Sequence, residues 1–399
     1  MKKLFVNSIL LIFLLLSVKC SERKTGEDST VNDKSYNDND AYKLTIIDSI
    51  TVDKIGYLTP VEYNKRNQNI LFYDIHSQNI IETDSRGKIL NDFFAKGEGD
   101  KEYGNILSNI GYYNDTCLVL AGTKGYFFYK TDGSYLYHID LKNPLAHPIF
   151  QTGERIREIQ TKSSTLLVSW FMPALPMEEM LDFRSKSFYE KMKFLTFYDI
   201  KSKTYKINFG YEPESIFRKY DYLYPAGKFS AFDFNYEQNA FYVIHNPDTK
   251  IYKYNFSDSP VLTQIIHTNP HHFVLPYKPP FNTTFTTEDQ VKAMHINSAL
   301  LSINSIDDLT ILTYHTTLPE EVYNGMKSLS EVPSLWAKYH KCYAVIMEQD
   351  NKVAEVELPR QCVDVGFIKS RDYIFMRTNT ENVEYAEGSI FYICKLEKR

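Results

Sequence analysis

The chain carries the string FYDIHSQ at residues 72–78 and nearly repeats it as FYDIKSK at residues 197–203. Looser copies are FYKTDG at residues 128–133 and FYVIHNPD at residues 241–248. Each copy is a run of aromatic and β-branched residues that enters a turn rich in Asp, Asn, Ser or Gly, as in a β-hairpin. Such strands recur about every ten residues, which is typical of a sandwich, a barrel or a propeller.

Counting outward from these strings, the strands fall into groups of four. The complete groups span roughly residues 55–93, 108–141, 155–209, 229–267 and 298–358. A sixth group begins at Cys362 and contains three strands, while residues 43–50 supply one more strand at the start. Pairing that N-terminal strand with the last group would close a ring and protect a sheet edge. The sequence therefore predicts an all-β fold, a six-bladed β-propeller over residues 42–399 with short helical insertions; seven blades are the alternative.

Composition is consistent with a folded β-rich chain. Of 399 residues, 43% are hydrophobic and 24% are charged, which excludes a disordered protein. The chain has 31 Tyr and 26 Phe, residues that favour pleated surfaces. The net charge is −5 and no basic run stands out, so a nucleic-acid partner is not expected.

The N-terminus is predicted to be a targeting segment. Residues 1–19 begin with Met-Lys-Lys and continue into an apolar run that is too short to span a bilayer, as in a signal peptide. Cys20 follows directly and resembles the lipidated cysteine of bacterial lipoproteins; an ordinary signal peptide with a coincidental cysteine is the alternative. Residues 20–41 are almost entirely polar and predict a flexible tether. We expect an outer-membrane protein held by a lipid on Cys20. The sequence does not predict whether it faces the periplasm or the cell surface.

The loop at residues 96–103, KGEGDKEY, carries a resemblance to a known family. Together with the lipoprotein-like start and the tether, it resembles Bacteroidetes lipoproteins of unknown function that contain a six-bladed β-propeller. Gly97, Gly99, Glu102 and Tyr103 match the family loop, while residues 100–101 replace its Pro and Gly. The resemblance implies the propeller fold and an exported location, and it implies no activity.

The sequence lacks the common motifs for cofactor, metal and catalytic chemistry. It contains no G-x-S-x-G, Walker or H-E-x-x-H motif and no C-x-x-C pair, so neither a cofactor nor a metal is predicted. After Cys20, the remaining cysteines are Cys117, Cys342, Cys362 and Cys394. Their even number permits disulfides in an oxidising compartment, and free thiols are equally compatible.

The longest connections are predicted to lie on one face of the propeller. They are residues 172–193, 210–228, 269–297 and 316–341, and helices are expected near residues 176–193 and 319–326. Aromatic, Arg and His side chains in or beside these connections could stack on sugar rings or capture a peptide. The candidate ligand-binding residues are Trp170, Arg218, Tyr220, Tyr222, Tyr224, His271, His272 and Trp336.

These features favour a binding protein over an enzyme. We predict an envelope-anchored lipoprotein whose loop-rich face engages a glycan, a peptide or a partner protein. The alternative is a glycan-processing hydrolase or lyase, which would need two carboxylates on that face. The carboxylates available there are Glu154, Glu178, Asp182, Glu214 and Asp221. A third hypothesis is that the protein is a structural subunit of an outer-membrane complex. Such a subunit would have an exposed apolar patch.

Overall fold

The computed structural model of the protein describes nine stretches of the chain. They are residues 42–105, 107–140, 154–161, 163–170, 185–222, 230–257, 260–281, 286–378 and 388–399. The predicted signal peptide (1–19), the tether (20–41) and Cys20 lie outside them. No helix within these stretches has the length and apolar character needed to cross a membrane.

Twenty-four strands lie within the described stretches. The first nine are β1 (Tyr42–Val52), β2 (Leu58–Tyr63), β3 (Ile70–Asp74), β4 (Ile80–Thr83), β5 (Ile89–Phe93), β6 (Leu107–Tyr113), β7 (Cys117–Gly122), β8 (Gly125–Lys130) and β9 (Tyr135–Asp140). The next eight are β10 (Glu154–Gln160), β11 (Thr165–Trp170), β12 (Lys193–Asp199), β13 (Thr204–Gly210), β14 (Ser230–Asn235), β15 (Ala240–His245), β16 (Asp248–Asn255) and β17 (Leu262–His267). The last seven are β18 (Ala299–Ile306), β19 (Leu309–His315), β20 (Cys342–Glu348), β21 (Asn351–Glu357), β22 (Cys362–Ser370), β23 (Tyr373–Thr378) and β24 (Ser389–Lys398).

These strands build small sheets arranged around a shared centre. Four sheets have four strands each, in the orders β2-β3-β4-β5, β14-β15-β16-β17, β18-β19-β20-β21 and β1-β24-β23-β22. The sheets meet through the first strand of each group, because β14 contacts β18, β18 contacts β22, and β2 contacts both β22 and β6. Small antiparallel sheets that radiate from their first strands form a β-propeller. The predicted all-β propeller class is therefore confirmed.

The blade count differs from the prediction. Strand pairing gives four separate four-stranded blades, not six or seven, because eight strands form one continuous sheet in the order β13-β12-β11-β10-β6-β7-β8-β9. In that sheet β10 and β6 run parallel, with Glu154 opposite Asn109 and Arg155 opposite Ile110. A parallel contact between two first strands leaves no signature in the local pattern of either strand.

The two ends of the described chain belong to one sheet. Strand β1 pairs antiparallel with β24, from Tyr42 opposite Lys398 to Val52 opposite Ser389. Tyr42 and Leu44 are buried and pack in the same apolar cluster as Cys394 on β24. The N-terminal strand is thus held by a long ladder of hydrogen bonds and by its apolar side chains.

Several strands are buried on both faces, because each sheet packs between two others. Every residue of β3 (ILFYD), β4 (IIET) and β15 (AFYVIH) is buried. Such strands have nearly continuous apolar sequences instead of alternating ones. This arrangement explains the high Tyr and Phe content, since aromatic side chains fill the space between neighbouring sheets.

The repeated FYD string forms the same turn at both positions. Asp74 accepts a hydrogen bond from the Ser77 hydroxyl at 2.6 Å, and Asp199 accepts one from the Ser202 hydroxyl at 2.9 Å. Burial alone would raise the pKa of each carboxyl, but these and the backbone hydrogen bonds lower both overall. The first copy ends the second strand of its group and the second copy ends a third strand. The string therefore specifies a turn and not a fixed position in a blade.

The loop at residues 96–103 is a compact turn between the first sheet and the eight-stranded sheet. The Glu102 carboxylate accepts a hydrogen bond from the Gly99 amide at 2.7 Å, and Gly97 forms an isolated bridge with Gly104. A Cβ atom on Gly97 would overlap that carboxylate, and Gly97 has a φ of +153°. Tyr103 is fully buried beneath the turn. Packing accounts for all four residues that carry the family resemblance.

The helices lie in connections at one edge of the sheets. They are α1 (Lys186–Lys191), α2 (Ile216–Lys219), α3 (Thr287–Ile296), α4 (Glu320–Gly325) and α5 (Val332–Tyr339), with a 3-10 turn at Leu329–Glu331. Each follows the second or the last strand of its group, so all emerge at the edge where first strands begin. We call this edge the upper face and the opposite edge the lower face. The predicted helix near residues 319–326 is confirmed, and in the earlier insertion α1 covers residues 186–191.

Candidate functional site

A cavity of about 520 Å³ opens on the upper face, between the first sheet, the β18–β21 sheet and the β22-containing sheet. We call it the upper cavity. Its walls are mainly apolar and include Leu58, Leu301, Val363, Ile390 and Phe391. A concave, mostly apolar cavity of this size with a few polar groups is the common form of a ligand site in proteins.

The mouth of the upper cavity has an exposed apolar rim. Ile55 is 80% exposed, Tyr57 is 51% exposed and Ile75 is 42% exposed. All three line the cavity, and the Tyr57 ring lies 4.4 Å from the His76 ring. Apolar side chains clustered in this way beside a cavity are typical of a surface that binds another molecule.

One wall of the upper cavity contains an ion pair between neighbouring strands. Asp364 on β22 pairs with Arg377 on β23 and accepts hydrogen bonds from the Ser302 hydroxyl at 2.5 Å and from the Val365 amide at 2.7 Å. Thr313 donates a further hydrogen bond to the same carboxylate. Because Asp364 is buried, this set of donors offsets the cost of removing its charge from water. The ion pair gives the apolar cavity a fixed polar group.

Two histidines, His315 and His340, line another wall, and a tryptophan packs behind one of them. The His340 ring stacks on Trp336 with ring centroids 4.7 Å apart, and the His315 ring lies 5.0 Å from His340. His315 donates a hydrogen bond from Nδ1 to the Thr316 carbonyl at 3.1 Å. Burial lowers the pKa of His340 to about 4 and also lowers the pKa of His315. At neutral pH the wall is therefore uncharged.

The protonation of His340 predicts a pH dependence of stability. Its pKa is about 4 in the folded protein and near the ordinary 6.5 when unfolded, so below pH 6.5 the unfolded chain binds the proton more tightly. The stability that neutral His340 contributes is fully present above pH 6.5 and is lost as the pH falls towards 4. We expect a loss of about 1–2 kcal/mol in unfolding free energy from this group, measured by urea unfolding at pH 7 and pH 4.5. In the His340→Gln variant the decrease in unfolding free energy between pH 7 and pH 4.5 should be smaller. An unchanged decrease would show that His340 is not its cause.

Four charged residues tie the first strands together at the centre of the propeller. We call Glu62, Arg155, Arg157 and Asp233 the central cluster. Arg155 donates from Nη1 to Asp233 at 3.2 Å, from Nη2 to the Gly366 carbonyl at 2.8 Å and from Nε to the Val61 carbonyl at 3.1 Å. It therefore joins β10 to β14, β22 and β2. A polar cavity of about 580 Å³ on the lower face reaches this cluster at Glu62 and Arg157.

Both carboxylates of the central cluster are fully engaged. Arg157 pairs with Glu62 and with Asp233, and the latter contact is 3.2 Å. The second oxygen of Glu62 accepts from the Tyr112 amide at 2.9 Å, and that of Asp233 accepts from the Ser305 amide at 2.8 Å. Glycoside hydrolysis needs one carboxyl that can give up a proton and one that faces substrate. This arrangement instead holds both acids in ion pairs.

The predicted ligand-binding residues fall in different parts of the molecule. Trp336 stacks on His340 beside the upper cavity. Tyr220 and Tyr222 are exposed in the connection after β13, where Arg218 donates to the Tyr211 carbonyl at 3.0 Å. Tyr222 also forms a bridge with Pro280. The side chain of Trp170 and all of Tyr224 lie outside the described residues.

The predicted histidine pair lies against the β18–β21 sheet. The backbone amides of His271 and His272 donate to the Glu355 carboxylate, and the His272 ring stacks on Tyr343 at 4.6 Å. These contacts fix the connection after β17 to the next sheet. Within the described stretches, no group of three or more His, Cys, Asp or Glu side chains is placed to hold a metal ion.

Of the acids proposed for a hydrolase, the side chains of Glu214 and Asp221 are described. Asp221 pairs with Lys186 at 2.8 Å, and the Glu214 carbonyl accepts a hydrogen bond from Lys250. The side chain of Glu154 and residues 178 and 182 lie outside the described stretches.

A hydroxyl and a histidine also meet, at a place that the sequence did not indicate. The Ser230 hydroxyl lies 2.8 Å from Nδ1 of His245, which is the spacing of a nucleophile and its base. His245 is fully buried among Phe194, Tyr211 and Tyr252, and burial lowers its pKa to about 3. So weak a base, closed off from solvent, does not favour nucleophilic catalysis.

The four cysteines in the described residues are free thiols. Cys342 lies at the upper cavity, and burial raises the pKa of its thiol to about 12. It is therefore protonated and unreactive at neutral pH.

None of the predicted ligand-binding residues that the structure describes lines the upper cavity. His315, His340, Asp364 and Arg377 belong to three strands and one connection, and each looks like an isolated polar residue in the sequence. The one usable signal was Asp364, a lone acid in the apolar strand CVDVGFIKS, because a buried acid needs a partner. Finding that partner on β23 requires the strand register.

Among solved structures, a member of the DUF4221 family from Bacteroides vulgatus matches with a TM-score of 0.62. The match covers 90% of this chain and 99% of that chain, at 13% sequence identity. The two chains share a fold. At this identity the likeness extends to the fold alone.

Two weaker matches carry no argument about this chain. A Bacteroides fragilis protein matches with a TM-score of 0.47 and 11% identity, over 92% of this chain and 98% of its own. The β-propeller domain of Cps50 (Swd1) from Myceliophteria thermophila matches with a TM-score of 0.44 and 9% identity, over 88% and 99%. No protein-family profile and no curated protein matches the sequence.

Proposed function

We propose that the protein is a binding protein that captures a peptide segment of a partner through the upper cavity. The observation that carries this proposal is the apolar cavity with its exposed rim of Ile55, Tyr57 and Ile75. Aliphatic walls suit the apolar side chains of a peptide, whereas a glycan site would present more polar groups and open aromatic faces. Of the three ligand classes expected from the sequence, the geometry favours a peptide.

We further propose that the scaffold is a six-bladed propeller closed by β1. Within the eight-stranded sheet, β6–β9 and β10–β13 are each complete antiparallel meanders, and only two residue pairs join them. Counting each meander as a blade adds two to the four separate sheets. The pairing of β1 with β24 then completes the last blade.

The lipid anchor on Cys20 and an outer-membrane location remain proposals from the sequence. The lipid anchor is tested by labelling cells with a fatty-acid analogue. Incorporation is expected in the parent chain and not in Cys20→Ala. Incorporation into the variant would exclude this cysteine as the lipidated residue.

The peptide proposal is tested by selecting a random heptapeptide phage library against the immobilised full chain. We expect recovered peptides rich in Leu, Ile and Phe. Ile55→Asp/Ile75→Asp should reduce recovery about 10- to 100-fold, since each side chain contributes apolar contact area. The matched control is Val261→Asp, because Val261 is 59% exposed in the turn between β16 and β17 on the lower face.

Three results would separate the possibilities. Recovery that falls in Ile55→Asp/Ile75→Asp and not in Val261→Asp supports the upper cavity. Equal recovery by both variants places binding elsewhere. Failure to recover any apolar sequence overturns the peptide proposal and would lead to a screen of oligosaccharides.

A further inference from the structure

A second concave surface adjoins the upper cavity. A cleft of about 410 Å³ lies between helix α5, the start of β20 and the turn before β22. We call it the basic cleft. His340 and Cys342 line both the basic cleft and the upper cavity, so one pair of residues separates the two. A ligand that leaves the upper cavity past His340 would enter the cleft.

The basic cleft carries a surplus of positive charge. Lys338, Lys341 and Arg360 line it together with a single acid, Glu357, which leaves two more positive than negative charges. Lys341 pairs with Glu357 at 2.8 Å. This surplus occurs in a chain whose overall net charge is −5, so it is a local feature and not a general property of the surface.

The two remaining cations face solvent from different elements. Lys338 is exposed in the last turn of α5, with its Nζ atom 4.8 Å from the Tyr339 ring. Arg360 is exposed in the turn between β21 and β22. Since Glu357 is already shared with Lys341, an anion entering the cleft would find these two side chains available for ion pairs and hydrogen bonds.

The wall between the two compartments contributes no charge at neutral pH. His340 is stacked on Trp336, and the Cys342 thiol is buried. The apolar walls of the upper cavity and the cations of the cleft therefore meet across a neutral aromatic boundary. Such a surface complements a ligand that carries apolar and anionic groups close together.

We propose that the basic cleft recognises an acidic side chain of the peptide whose apolar side chain occupies the upper cavity. The inference rests on the proposed function and adds its chemical class: the preferred segment has Asp or Glu within a few residues of Leu, Ile or Phe. Exposed ion pairs are individually weak and are screened by salt. The cleft therefore adds selectivity to a contact that depends mainly on apolar burial.

The test uses the same random heptapeptide library and the full chain, at about 0.05 M and about 0.5 M salt. At low salt we expect Asp and Glu to be enriched about threefold or more over the starting library, with the enrichment reduced at high salt. Lys338→Glu/Arg360→Glu should abolish the acidic enrichment and leave the apolar enrichment in place. Both substituted residues are exposed, so the variant is expected to fold, and its thermal midpoint is measured alongside.

The matched control reverses two exposed charges on the lower face, Arg86→Glu/Lys88→Glu, in the turn between β4 and β5. It should recover the same acidic peptides as the parent chain. Apolar peptides without acidic enrichment would overturn the inference while the proposed function stands. Acidic enrichment that survives in Lys338→Glu/Arg360→Glu, or disappears in the control, would also overturn it. Recovery of no apolar peptide at all would overturn the proposed function itself.

Discussion

Replacing Arg157 by methionine is expected to lower the free energy of unfolding by about 3–5 kcal/mol. Arg157 lies between two buried carboxylates, Glu62 and Asp233, whose side chains are 9% and 6% exposed. Burial alone would lower the pKa of Arg157, but the two carboxylates raise it overall, so the guanidinium stays charged. Without it, Glu62 would lose its ionic partner and Asp233 would keep only Arg155. A buried carboxylate left without its cation costs more than an exposed ion pair ever contributes.

Urea unfolding of the parent chain and the variant measures this effect. The matched control is Lys43→Met, because Lys43 also pairs with an acid, Glu397 at 3.1 Å, but these side chains are 46% and 34% exposed. That control should change stability by less than about 1 kcal/mol. Adding Glu62→Gln to Arg157→Met should recover part of the loss, since the carboxylate that lost its cation is then removed, whereas Asp233 keeps Arg155. Equal effects of Arg157→Met and Lys43→Met would show that the central cluster does not hold the first strands together.

The central cluster also marks the limit of what could be predicted from the sequence. Strand groups followed from local patterns, because turn residues and apolar runs report on their immediate neighbours. Glu62, Arg155 and Asp233 come from three different groups, and their contacts depend on where the first strands converge. Residues 62 and 233 are far apart in sequence, and no spacing rule relates them. The strand groups could therefore be predicted from the sequence, but the contacts between first strands at the centre of the propeller could not.

The candidate site shows the same division. The upper face was predicted correctly as the location of long connections, because strand order alone decides where each connection emerges. Trp336 was named for its aromatic side chain and does lie beside the upper cavity. The partner that gives it a role, His340, was passed over because an isolated histidine carries no pattern. Arg377 and Asp364 meet only through the register of β23 with β22.

The blade count required knowledge of a contact that leaves no trace in either strand. Gly111 lies on β6 where that strand meets β10, and its role is visible only in three dimensions. A Cβ atom there would overlap the backbone carbonyl oxygen of Ile156 and lie 3.0 Å from a carboxylate oxygen of Glu62. In sequence, Gly111 is one glycine among 16 and belongs to no turn.

Gly111→Ala is therefore expected to destabilise the protein by about 3 kcal/mol, because a methyl group would force β6 and β10 apart. The backbone oxygen of Ile156 cannot rotate away as a flexible side chain could, so the strands themselves must move. The movement would also disturb Glu62 and its pairing with Arg157. Unfolding in urea measures the loss, and hydrogen exchange of the β6 and β10 amides shows whether it begins at this junction.

The control for Gly111→Ala is Gly325→Ala. No heavy atom lies within 4 Å of a Cβ placed on Gly325, the last residue of α4. Removing a glycine at such an open position is neutral or mildly stabilising, because the unfolded chain loses conformational freedom. If Gly111→Ala were as harmless as Gly325→Ala, β6 and β10 would not be packed together. The β6–β9 and β10–β13 meanders would then be unjoined at their inner edge, and the continuous eight-stranded sheet would be wrong.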